Sequence, residues 1–232
     1  MQVRMKIVAL IPARAGSKGV ANKNLQKIGG VPLVNITINL AKTSELIDSV
    51  FVSSNSDEIL NLAFESGVNP LMRPAEKSDD SATANDVVQH FLDSNSEFNF
   101  DDLAIAYLQP TSPFTSPNSL SSCIELFLEK NISIVSMKNV SEHPHKMLIQ
   151  DDSGRATNYM PESVPTANRQ HLPQLLLPTG GIYVFSAKEF QKNQSIPVIN
   201  SLPYIVHGVE GLDIDNEFDL FLAQSLGARN EF

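Results

Sequence analysis

The chain has 232 residues, 42% hydrophobic and 19% charged, a balance that fits a folded globular protein and excludes a disordered one. A formal charge of −9 works against any general grip on nucleic-acid phosphates, so an anion site has to be a local basic pocket in an acidic surface. One cysteine excludes an internal disulfide, no apolar run approaches a membrane span, and the expectation is a cytoplasmic protein with neither nucleic acid nor membrane as partner.

The first element is a buried strand at Ile7–Ile11, an apolar run too short for a signal-peptide core despite Arg4 and Lys6 before it. The stretch that follows, "PARAGSKGVANKN", fits neither a Walker A loop nor a dinucleotide turn. Its chemistry still suits phosphate: Gly16 and Gly19 permit close backbone approach, and Arg14, Lys18 and Lys23 supply charge. A solvated basic loop is the plainer alternative. Helical spacing over Leu33–Lys42, a strand at Val50–Ser53 and a helix over Asp57–Ser66 come next. In "LMRPAEKSDDSATA", Arg73 follows a short strand, while Ser81 and Thr83 stand beside the start of a helix over Ala84–Asp93. This reads either as a nucleotide-facing helix entry or as a capped surface loop.

A strand at Leu103–Leu108 ends in Gln109 and a loop rich in Pro, Ser and Thr. Ser116-Pro117 then opens a helix whose Leu120, Cys123, Ile124, Phe127 and Leu128 share one face, which makes Cys123 a core residue rather than a nucleophile. After a strand at Ile132–Ser136 the rhythm weakens, and residues 137–180 read as an inserted arm, a lid or a partner-binding excursion. Strands return at Ile182–Phe185 and Pro203–Val206, and a last helix follows Asp213-Ile214-Asp215. Such alternation predicts a single α/β domain over 1–232, with a mostly parallel sheet covered on both faces and ligands at the carboxyl ends of its strands.

Asp213 and Asp215, two apart, point to the same side of an extended segment, as a Mg²⁺ site would need; the same residues also suit a helix entry. His143 and His145 have no third histidine or cysteine at ligand spacing, so a metal pair there is not expected.

Taken together and in order, "IPARAGSKGVANKN", "RPAEKSDDSAT", "LQPTSPF", "EHPHKML", "NRQHLP", "GGIYVF" and "LDIDNEFDL" resemble the acylneuraminate cytidylyltransferases, also called CMP-sialic acid synthetases. The resemblance implies a three-layer nucleotide-binding sandwich of the nucleotide-diphospho-sugar transferase type, with 137–180 as a dimerisation and sugar-pocket arm. It implies transfer of CMP from CTP to the anomeric hydroxyl of a nine-carbon sugar acid, N-acetylneuraminic or legionaminic, with release of pyrophosphate. It assigns Arg14, Ala15, Ser17, Lys18, Lys23 and Asn24 to CTP and its triphosphate, and Arg73, Ser81 and Thr83 to the cytidine side. Gln109, Lys146, Arg169 and Tyr183 go to the sugar, with the Arg169 guanidinium on the sugar carboxylate, and Asp213 and Asp215 to Mg²⁺ or Mn²⁺. The proton acceptor is left between an aspartate and a water on the metal. Another sugar acid, of pseudaminic or Kdo type, and a noncatalytic nucleotide-binding protein are the alternatives. Where many members carry Arg-Pro-Asn-Gly or Arg-Ile-Asn-Gly, this chain has Leu177-Pro178-Thr179-Gly180, one cation and one amide fewer near the expected sugar pocket.

Overall fold

The computed structural model describes residues 4–16, 19–74 and 82–228. In chain order its elements are β1 (Lys6–Pro12), β2 (Lys27–Ile28), β3 (Val31–Pro32), α1 (Leu33–Thr43), β4 (Ser49–Ser54), α2 (Asp57–Glu65), β5 (Asn69–Met72), α3 (Ala84–Ser94) and β6 (Leu103–Tyr107). There follow α4 (Pro117–Lys130), β7 (Ile134–Asn139), β8 (Leu148–Gln150), β9 (Ala156–Asn158), β10 (Leu176–Ser186), α5 (Ala187–Asn193), β11 (Leu202–Ile205) and α6 (Glu217–Gly227).

Seven strands form one sheet in the order β11-β7-β10-β6-β1-β4-β5. Every pairing in it is parallel except the two made by β10, which runs against β6 and β7. The period-2 alternation of strands divides the central residues between two faces. Ile7, Ala9 and Ile11 of β1 join Val34 and Ile38 of α1, Ile59 of α2 and Ile124 of α4. Val8 and Leu10 join Val88 and Phe91 of α3 and Phe190 of α5 on the other face. Helices therefore cover both sides, in the three-layer order expected from the alternation. No described helix is long and apolar enough to cross a membrane.

Cys123 is fully buried in the first of these cores, as its place on the α4 face predicts, and burial pushes its thiol up to about 12. Ser116 caps α4 by accepting from the Ser119 amide at 3.1 Å, with Pro117 at the first helical position.

The irregular stretch is narrower than its composition suggests. Residues 137–139 complete β7, and Leu176-Leu177-Pro178 pair with them at the start of β10, so only residues 140–175 leave the sheet. Within that excursion β8 and β9 make a two-stranded antiparallel hairpin, exposed along its length. The β7–β10 register slips between Pro178 and Tyr183, where extra β10 residues oppose Ser136. The Ser136 hydroxyl closes this bulge, accepting from the Ile182 amide at 2.9 Å and lying 2.8 Å from the Thr179 hydroxyl.

Candidate functional site

The carboxyl ends of β1, β4, β5 and β6 open on one side of the sheet, and the segments that leave β1, β5 and β6 line a cleft of about 380 Å³. Arg14, Lys23, Asn24, Arg73, Thr83, Gln109 and Asp215 all line it, residues scattered over some two hundred positions of sequence. A second hollow of about 290 Å³ shares Ala84, Tyr107 and Gln109 with the first and adds Tyr183, Ile196 and Val198.

Two lysines pin the aspartate segment from opposite sides. Lys23 donates from Nζ to the Ile214 carbonyl at 2.7 Å and lies 3.8 Å from Asp215, and Lys138 donates to the Gly211 carbonyl at 2.7 Å. The Ile214 amide donates to the Thr111 carbonyl at 2.8 Å, while its side chain is buried with Val20, Leu33 and Leu220. Gly19 packs so closely on the Asp215 carbonyl that a Cβ there would overlap it, which explains a glycine at this point of the basic loop.

The helix-entry alternative for the two aspartates falls to a neighbour. Asn216 caps α6, accepting from the amides of Phe218 and Asp219, and Asp219 returns its carboxylate to the Asn216 amide. Asp213 is half-buried with Oδ1 lacking any hydrogen-bond partner, and burial, reinforced by the charge of Asp215, raises its carboxyl above the usual range. The Asp215 side chain is exposed. Among the described residues no group of three or more His, Cys, Asp or Glu is placed to hold a metal ion.

Arg73 is only 3% exposed, and its Nε and Nη2 have no hydrogen-bond partner. Its pKa is lowered, first by burial and also by the nearby charge of Arg14, while Tyr107 and Asp86 act in the opposite sense. A guanidinium held this way is poised for an acceptor from outside the chain. Thr83, by contrast, has the role of a cap: it opens α3 in a reciprocal box with Asp86, its amide donating at 2.7 Å and its hydroxyl at 2.8 Å to that carboxylate. It lines the cleft all the same.

Gln109 and Tyr183 meet in the smaller hollow. There Tyr183 stacks edge-on against Tyr107 at 6.1 Å, and burial raises both phenols. Lys146 does not line either hollow; its ammonium donates to the Pro165 carbonyl within the excursion, at 3.3 Å. Arg169 opens a short turn at Arg169–His171, and the role expected of its guanidinium falls on a side chain outside the description. Ser17, Lys18 and Ser81 lie outside the described residues. His143 accepts from the His145 amide at Nδ1 and has Nε2 3.1 Å from the Pro173 carbonyl, joining the two legs of the excursion. Thr179, within the departing Leu177-Pro178-Thr179-Gly180, is buried in the bulge and bonded to Ser136.

Sequence reading passed over Asn55, Tyr107, Thr111 and Lys138. Asn55 and Thr111 stand just past the carboxyl ends of β4 and β6, the same position that drew notice to Gln109.

A cytidylyltransferase family model matches residues 8–217. The chain is 30% identical over 223 residues to the N-acylneuraminate cytidylyltransferase of Escherichia coli, covering 95% of this chain and 52% of that protein. It is 30% identical over 236 residues to the CMP-N,N'-diacetyllegionaminic acid synthase of Legionella pneumophila, covering 98% of each. The chain thus spans about half the length of the N-acylneuraminate cytidylyltransferases of Escherichia coli and Streptococcus agalactiae and nearly the whole of the Legionella protein. In fold it is similar to CMP:2-keto-3-deoxy-manno-octonic acid synthetase complexed with CTP, at a TM-score of 0.70 and 15% identity over 97% of this chain and 99% of that one. A match from the first strand to the start of the last helix, on a sheet whose carboxyl edge gathers the basic and acidic motifs, establishes that the chain belongs to the cytidylyltransferase family, in the group of the acylneuraminate and legionaminate enzymes.

Proposed function

We propose that the chain transfers CMP from CTP to the anomeric hydroxyl of a nine-carbon sugar acid, of the N-acylneuraminic or legionaminic type, and releases pyrophosphate. The observation that carries this reading is the meeting of Arg14, Lys23 and the unsatisfied Arg73 in one cleft, beside an aspartate segment free of capping duty. The names of the two relatives support the choice of nucleotide and sugar class.

In this mechanism Arg14 and Lys23, with Lys18, hold the triphosphate, and the two unpartnered N–H groups of Arg73 receive acceptors of the cytidine end. Gln109 and Tyr183, side by side in the adjoining hollow, orient the sugar so that its anomeric oxygen faces the α-phosphorus. The new O–P bond forms as the bond to pyrophosphate breaks, the hydroxyl proton passes to an aspartate or to water, and the basic side chains offset the charge that collects on the departing group. Asp213 and Asp215 fit a hard divalent cation, being oxygen donors, one with an unpartnered buried oxygen. When bound, Mg²⁺, or Mn²⁺ in its place, supplies positive charge against the phosphate oxygens.

Homodimerisation through the excursion and a cytoplasmic location belong to the same proposal. Met147, Leu148, Ile149 and Tyr159 are exposed on and around the hairpin, a surface suited to burial against a second copy. Such packing would bring Lys146 and Arg169 to the sugar side of the neighbouring subunit.

The test is incubation with CTP, Mg²⁺ and a panel of N-acetylneuraminic, legionaminic, pseudaminic and Kdo-type acids, reading CMP-sugar and pyrophosphate. CMP-sugar from the first two is expected; pyrophosphate release with none of the acids refutes the reading. Asp213→Asn and Asp215→Asn should each fold yet lose turnover by orders of magnitude, with partial rescue at raised Mg²⁺. Light scattering that finds a fully active monomer would refute the dimer.

A further inference from the structure

The Arg14–Ala15 peptide is gripped at both of its polar atoms by side-chain amides. Asn24 donates from Nδ2 to the Arg14 carbonyl at 2.9 Å, and the Ala15 amide donates to Asn55 Oδ1 at 2.9 Å. The main-chain ladder between β1 and β4 reaches Pro12 opposite Ser53, and the Ala13 amide adds one more bond, to the Ser53 carbonyl at 2.9 Å. Beyond that point the strands part, and the Asn55 side chain takes the place the next carbonyl would have held. Asn55 is itself set on a rigid base. The Ser56 amide donates to Ser54 Oγ at 3.0 Å, and Ser56 caps α2 by accepting from the Ile59 amide.

This grip answers a need created by charge. Arg14 and Arg73 both line the cleft, and the charge of Arg14 acts against that of Arg73. Arg14 stands on a loop, half-buried, so its backbone has no helix or strand ladder to hold it in place. Fixing the peptide on its carbonyl and amide sides fixes the Cα–Cβ direction from which the Arg14 side chain sets out into the cleft. Asn55 is not among the residues that line the cleft.

We infer that Asn55 is a positioning residue of the nucleotide cleft, holding the Arg14–Ala15 peptide so that Arg14 stays in the cleft with Arg73 and the two cations present one anion site. The inference rests on the nucleotide reading above.

A double-mutant cycle on the full chain tests it, with affinity for CTP measured by calorimetry and a melting curve for every variant. Asn55→Ala is expected to weaken CTP binding about tenfold, the effect of losing one hydrogen bond, while Tm falls by only about 2–4 °C. In an Arg14→Ala background the same substitution should have no further effect on affinity. Asn55→Asp, which keeps the acceptor, should bind CTP within about threefold of the wild type. Equal losses with and without Arg14, or CTP binding by Asn55→Ala at wild-type strength, would overturn the inference. If the wild type binds inorganic triphosphate but not CTP, the cytidine reading fails and the same cycle run with triphosphate decides this one; if it binds neither, both fall.

Discussion

Arg73→Met should separate what the cleft needs from what the fold needs. Arg73 is 3% exposed, two of its guanidinium nitrogens have no partner, and Arg14 adds like charge. Methionine fills similar volume without a charge to desolvate. Replacing buried charges by apolar groups of like shape is commonly neutral or stabilising by about 1–4 kcal/mol. The attraction of Asp86 offsets part of that gain, leaving roughly 1–3 kcal/mol. At about 2–4 °C per kcal/mol for a chain of this size, the ligand-free Tm should rise by roughly 2–12 °C. CTP should lose two charge-assisted hydrogen bonds at once, each about 1.5–3 kcal/mol, so affinity should fall roughly 100-fold or more. Melting curves with and without a CTP series read both quantities from one plate. A lower ligand-free Tm together with an undiminished CTP-induced shift would refute the reasoning.

Three further outcomes are expected. Gly180→Ala should cut turnover sharply, because φ is +80° and a Cβ would stand 2.6 Å from Gln109 Oε1; a sugar KM and kcat unchanged from wild type would count against the placing of Gln109. Cys123 should resist iodoacetamide in the native protein at pH 8 and react on unfolding. Its raised thiol also means stability that is full below about pH 9 and declines as pH rises toward 12, so urea unfolding of Cys123→Ala should show a shallower alkaline slope than wild type. Ser136→Ala opens the β10 bulge by removing its bonds to Ile182 and Thr179, which should lower stability by about 1–3 kcal/mol in urea titration; an unchanged midpoint would mean the bulge closes without it.

What the sequence made legible depended on whether an element declares itself locally. β1 and β6 do, since their residues are buried on both faces and read as continuous apolar runs, and α4 does through Ser116-Pro117 and a clean apolar face. The first half of β10 does not: Pro178 and two glycines sit where the bulge needs them and erase the alternation. α5 spans only two turns, and the hairpin of β8 and β9 has no buried face to give it a period. At the site, the loops at strand carboxyl ends could be found one by one from composition. The duties of Asn55, Lys138 and Asn216 could not, because each depends on a partner that only the closed sheet brings near, and the burial of Arg73 is a property of its neighbours rather than of its own motif.

Because β10 runs backwards through an otherwise parallel sheet, its beginning lies where every other strand ends, on the ligand edge. The excursion of residues 140–175 therefore leaves β7 and rejoins β10 at adjacent roots, with Asn139 opposite Leu176 and the Val140 amide bonded to the Leu175 carbonyl at 3.0 Å. Two roots that close together form a socket. Whatever is plugged into it can change in length or sequence while β1, β4, β5 and β6 keep the basic cleft as it is, and the exchange is felt first at Gly180 and Tyr183, a few residues downstream. On the proposed function, a protein built this way can alter which acceptor it admits while the residues that line the basic cleft stay as they are.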